Sequence, residues 1–178
     1  MPIEAPIESG WNPDGFAGPA KGRYHVQVVN ADEDGGTKSE MIIDFEVLAG
    51  TTPGQEGLRH REYFQKTVKA MSRIHTLAIA LGMVTSDQIK DAQAKGASLT
   101  YDFESQVGKQ LCISLSEEEY NGKTRCKVNF EMYHVANPKV ADWPKNAGML
   151  KSGGYDVPAP AAKPAGPGAA PINLAGIV

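Results

Sequence analysis

Cations and aromatic rings, more than nucleophiles or metal ligands, are the residues of this chain whose spacing could do chemistry. Arg59, Arg61 and Tyr63 take alternate positions in LRHREYFQ, and Arg125 and Lys127 do so in RCKVNF, just behind an Asn121-Gly122 pair. Arg23 and His25 alternate in GRYHVQVV, and Tyr133 stands near the end of the run that begins at Arg125. Alternate positions share one face of a strand, so each run presents a basic or aromatic face if its other face packs inward. Lys38 and Lys123 sit at loop edges, Lys66 where the third run meets a helical pattern, and Tyr120 directly before the Asn-Gly pair. A groove for single-stranded nucleic acid needs both residue types. Cations track the phosphates, and rings stack on bases at roughly 1–3 kcal/mol per base. An ordinary half-exposed sheet also carries long cationic side chains, and Glu40, Asp44 and Glu46 place acids on one outer face.

Catalytic patterns are missing from the sequence: it holds no G-x-S-x-G, G-x-x-x-x-G-K, H-E-x-x-H or G-x-G-x-x-G. Its acids are dispersed over strand faces, loops and the run SEEEY. His75 falls beside an apolar helical stripe, while His25, His60 and His134 belong to different strands. Four histidines and two cysteines show no metal-ligand spacing, so no enzyme activity, metal or other cofactor is expected. A net charge of -3 over 178 residues excludes a wholly basic nucleic-acid binder but not a basic face on an acidic body. The chain lacks an apolar run near 18 residues, and its start, MPIEAPIESGW, has neither a basic n-region nor an apolar h-region. A cytoplasmic protein without a membrane partner is the expectation.

These residues must be positioned by five strands and a helical insert. Tyr24, Val26 and Val28 mark the inner face of the first strand, and Met41, Ile43, Phe45 and Val47 that of the second. Leu58, His60, Glu62 and Phe64 lie opposite Arg59, Arg61 and Tyr63 in the third. The period then changes: Thr67 is the expected N-cap of a helix with Val68, Met71, Ile74, Leu77, Ala78 and Leu81 on one side, ending at Gly82. Thr85 and Gln88 fit a capping box opening a second, shorter helix. Asn121-Gly122 then predicts a two-residue hairpin, because a type I′ turn needs positive φ at both central positions. Its register sets Tyr120 against Lys123, Leu115 against Val128, Ile113 against Phe130 and Leu111 against Met132, with all six apolar residues facing the core. Cys112 and Cys126 then lie on opposite faces and should not pair. Residues 1–21 read as an arm, 22–150 as the folded domain, and 151–178, rich in Ala, Pro and Gly, as a disordered tail.

Three strands, a helix and two strands, β1-β2-β3-α-β4-β5, form the element order of an OB-fold-like barrel, mainly β with a helical insert and a flexible C-terminal tail. The chain also resembles the small OB-fold single-stranded DNA-binding proteins of bacteriophages and prophages over residues 20 to 136. The likeness lies in the G-x-Y opening strand, the acidic loop ending in a small residue and Lys, and the second strand closing in Ala-Gly. It continues in G-x-x-x-R-x-Y-F, the helical insert and the Tyr-Asn-Gly-Lys hairpin. The resemblance implies sequence-tolerant binding of single-stranded DNA in phage replication, recombination or repair, with replication or recombination proteins as further partners in the host cytoplasm. It places binding residues at Arg59, Arg61, Tyr63, Arg125 and Lys127. Where such proteins often end in an acidic tail with an aromatic tip, this sequence ends PINLAGIV. The alternative is a phage structural or assembly protein with a small β-barrel and no nucleic-acid role.

Overall fold

A computed structural model describes residues 18–35 and 39–157. Most of the expected arm, Lys38, and residues 158–178 of the expected tail lie outside the described residues. Strands form where the period-two runs stand: β1 (Gly22–Asp32), β2 (Glu40–Gly50), β3 (Arg59–Gln65), β4 (Gln110–Tyr120) and β5 (Lys123–His134). The chain is therefore mainly β. The strands pair antiparallel in one sheet of order β3-β2-β1-β4-β5, so β3 and β5 are its edges. No ladder joins those edges, and the sheet is open where an OB-fold-like barrel was expected.

One face of the sheet packs as expected. Tyr24, Val26 and Val28 of β1, Met41, Ile43 and Phe45 of β2, Phe64 of β3 and Ile113 of β4 form a core with Ile74, Leu77 and Ala78 of α1 (Met71–Ala80). Gly82 ends that helix at φ 76°, as a C′ glycine does. Thr85 and Gln88 form both bonds of the capping box at the start of α2 (Ser86–Ala94). The start of α1 differs from the expectation. Residues 67–70 make a turn in which Ala70 N–H donates to Thr67 C=O at 3.0 Å, the helix begins at Met71 with no side-chain cap, and Val68 is 95% exposed. Arg73 in the first turn of α1 is committed to bonds with β3 and β5 described below.

The hairpin has the expected turn, with Asn121 at φ 51° and Gly122 at φ 73°. Its register holds from Tyr120↔Lys123 to Leu115↔Val128 and then breaks, so that Ile113 faces Met132 instead of Phe130. Two extra residues of β5 are absorbed in a bulge opposite Ser114. Asn129 secures it: its Nδ2 donates to Ser114 Oγ (3.0 Å) and its Oδ1 accepts from Glu131 N–H (2.8 Å). Phe130, expected in the core, is 63% exposed. The slip of two residues preserves the faces of Val128 and Met132, which remain buried.

The opposite face of the sheet is covered as well. After β5 the chain crosses it through a 3-10 turn (Pro138–Val140) and α3 (Ala147–Ser152), building a second apolar cluster from Cys112, Val135, Val140, Trp143 and Leu150. Cys126 packs against the first cluster, so the two free cysteines are separated by the sheet. Tyr155 continues this cover, its hydroxyl accepting from Gln110 N–H at 3.0 Å. His25 is 0% exposed beneath it, which corrects its placement on an exposed binding face. Its Nε2 lies 3.0 Å from Gln110 Oε1, and its Nδ1 accepts from Asn146 N–H at 3.1 Å, tying the cover to β1. The bond from the amide requires an unprotonated Nδ1 and leaves the proton on Nε2 for the glutamine.

Burial pushes the His25 pKa down from 6.5 to about 4. In the unfolded chain the imidazole gains its proton as pH falls through 6.5, whereas the folded protein resists until about 4. This contribution to stability is full above pH 6.5 and is lost as pH falls to 4, amounting to about 3 kcal/mol. Urea unfolding at stepped pH should show that acid limb, and a His25→Gln variant should flatten it.

Candidate nucleic-acid interface

The backbone of an edge strand carries N–H and C=O groups that need partners. Val128 pairs with Leu115 on β4, and its own N–H and C=O turn to the free edge of β5. There Glu62 of β3 accepts the Val128 N–H through Oε2 at 2.9 Å, and Arg73 of α1 donates Nη2 to the Val128 carbonyl. The same guanidinium donates Nη1 to the Tyr63 carbonyl of β3 (3.3 Å) and Nη2 to Glu62 Oε1 (2.6 Å). His60 Nε2 completes the group at 2.7 Å from Glu62 Oε2. A carboxylate and a guanidinium thus stand where a strand-to-strand ladder would run, and they pin the two edges of the open sheet to each other. Burial opposes the charge on Glu62, but the bonds from His60, Arg73 and the Val128 amide outweigh it and hold the carboxyl below its ordinary range.

This seam links, through the side chains of Glu62 and Arg73, the two strands that carry most of the candidate residues. On β3, Arg59, Arg61 and Tyr63 point away from the core and His60, Glu62 and Phe64 toward it, as the alternation predicts. Register also brings the acids of β2 against these cations. Arg61 faces Asp44 and binds it twice, Nε at 2.8 Å and Nη2 at 2.9 Å, and Arg59 Nε reaches Glu46 at 3.3 Å. The hydrogen bonds from Arg61 hold the Asp44 carboxyl below its ordinary range. In the hairpin, Arg125 Nη2 lies 2.6 Å from Glu118 and its guanidinium stacks 4.2 Å over the Tyr120 ring, while Lys127 Nζ is 3.7 Å from the same carboxylate. Lys123 is exposed opposite Tyr120 at the tip.

Three other candidates serve the fold. Besides the buried His25, Lys66 braces the β1–β2 loop, donating to the Glu33 carbonyl at 2.5 Å and reaching Asp34 at 3.5 Å. Tyr133 packs edge-on to Trp143, ring centroids 6.0 Å apart, with Lys139 5.6 Å from its ring. Arg23 differs from the other four arginines: among the described residues it has no carboxylate partner and instead lies 5.2 Å over the Trp143 ring. It lines an open groove of about 680 Å³ with Lys21, Thr51 and Ser114, where Glu117 and Glu131 balance the two cations.

Over residues 11–142 the chain matches the family described as "Protein of unknown function (DUF669)". The chain belongs to that family. No curated protein matches it. In this DUF669 chain the matched stretch takes in all five strands and the seam, and it ends one residue before Trp143.

Phe130 is the surface residue that sequence reasoning missed, because simple alternation assigns it to the core. The available signal was Asn129, a residue disfavoured in strands and suited to local backbone bonds. Leaving a phenylalanine in water forfeits about 1.5–3 kcal/mol of burial. Among the described residues, no helix is long and apolar enough to cross a membrane.

Removing one side of a buried charge pair costs about 3–5 kcal/mol, because the other charge is left uncompensated. Glu62→Ala should therefore lower unfolding free energy in urea by that amount. Arg59→Ala, which breaks an exposed pair, should change it by less than about 1 kcal/mol.

Proposed function

We propose that this protein binds single-stranded DNA with little sequence preference, in replication, recombination or repair, as its resemblance to the phage and prophage proteins implies. In this reading the sheet acts as an OB-fold-like barrel whose last seam is closed by side chains. The observation that carries the reading is that seam. It ties the edge strand that bears Arg59, Arg61 and Tyr63 to the one that bears Arg125 and Lys127 behind the Tyr120–Lys123 tip. Such a fold binds oligonucleotides on its second and third strands and on the loops after strands one and four, which here include Lys38 and the hairpin tip. Phosphates compete with Asp44, Glu46 and Glu118 for the paired arginines, so stacking on exposed rings carries a larger share of affinity than in a site of free cations.

Anisotropy titration with oligo(dT), with duplex controls at two salt concentrations, tests this. The parent should prefer the single strand. Reversing Arg125 and Lys127 to Glu should weaken binding alike for all sequences and reduce the salt slope by about 0.7 for each phosphate no longer neutralised. Glu118→Gln should tighten binding roughly two- to fivefold, because an exposed ion pair no longer holds the arginine back. A parent without affinity for oligo(dT) at low salt overturns the reading in favour of a structural or assembly protein.

A further inference from the structure

We infer that Phe130 is a base-stacking residue, held out of the core by the β5 bulge so that an unpaired nucleobase can lie on it. The inference rests on the proposed binding of single-stranded DNA and names a contact within that site. Period-two patterning would bury this ring, yet the bulge leaves it 63% exposed. The bulge is built, since both ends of the Asn129 amide are bonded, one across to β4 and one along β5. Bulges commonly re-aim a side chain beside a functional site.

The surroundings identify the occupant. Phe130 is two residues from Val128, whose carbonyl shares the Arg73 guanidinium with the carbonyl of Tyr63. Tyr63 is itself 47% exposed, so the seam carries an exposed ring on each of its two strands. Lys127 and Arg125 precede Phe130 on the same strand, and Arg61 precedes Tyr63. Exposed rings on strands that also carry cations suit a planar, uncharged base attached to an anionic backbone. An apolar protein partner would have to desolvate those charges.

The test uses the full chain, oligo(dT) and anisotropy at two salt concentrations, comparing the parent with Phe130→Ala, Phe130→Leu and Phe130→Trp. The ring is exposed, so melting temperatures should stay near that of the parent. Phe130→Ala and Phe130→Leu should each weaken binding roughly five- to hundredfold with the salt slope unchanged, and Phe130→Trp should retain it. Parent-like binding by Phe130→Ala, while the parent binds well, overturns this inference and leaves the proposed function standing. Full binding by Phe130→Leu would mean that apolar contact suffices and overturns stacking. A parent that does not bind removes the functional reading and this contact with it. Sedimentation of parent and Phe130→Ala adds a further outcome: loss of a dimer with oligonucleotide affinity intact would assign the ring to self-association and overturn the inference.

Discussion

Glu62 is a carboxylate with almost no access to water, and the architecture depends on how that charge is satisfied. It receives bonds from an imidazole, a guanidinium and a backbone amide, and these come from β3, α1 and β5. An open five-stranded sheet leaves two edges exposed to stray pairing. Here the edges cap each other through side chains, and the helical insert delivers the cation that makes this possible. The same bonds fix α1 against both edges: Arg73, in the first turn of the helix, reaches Glu62 and the Tyr63 carbonyl on β3 and the Val128 carbonyl on β5.

β1 is the second constraint. It lies at the centre of the sheet and is buried on both faces, by the α1 core on one side and by the C-terminal cover on the other. Tyr24 and His25, adjacent in sequence, serve opposite layers. Tyr24 packs on Gly50 so closely that a Cβ there would overlap the ring, which accounts for the Ala-Gly ending of β2. Its hydroxyl donates to the Ala20 carbonyl at 2.6 Å, anchoring the chain ahead of the strand. His25 has to be neutral to hold Asn146. The cover is therefore joined to the sheet by hydrogen bonds as well as by apolar contact, and they are exacting because neither partner can turn to water.

The charged surface is more balanced than its cations alone suggest. Arg59, Arg61 and Arg125 each face a carboxylate on the neighbouring strand, the cross-strand counterpart of a helical ion pair. Exposed pairs of this kind add little stability, but they orient long side chains and suppress the field at a distance. A ligand for this surface must win short-range contacts, which gives weight to rings such as Tyr63, Tyr120 and Phe130.

Sequence by itself determined the five strands, the two helices of the insert apart from the start of the first, the Asn-Gly turn, the capping box and the inner face of the sheet apart from Phe130. Each depends on residues within a few positions of one another, where side-chain period and backbone φ are local properties. The outward direction of Arg59, Arg61 and Tyr63 was legible for the same reason. Only the tertiary structure decided the rest. The β2–β3 connection is too long for a turn to set register, so the partners of Arg61 and Arg59 could not be read from it. The bulge at Asn129–Phe130 breaks alternation by exchanging local pairing for a bond to Ser114 on another strand. The burial of His25 required a cover contributed by residues more than a hundred positions away, from a stretch whose sparse Val, Trp and Leu show no period. The seam was the least legible feature, since an acid and an arginine in different elements become partners only when both edges of the sheet are brought to the same place.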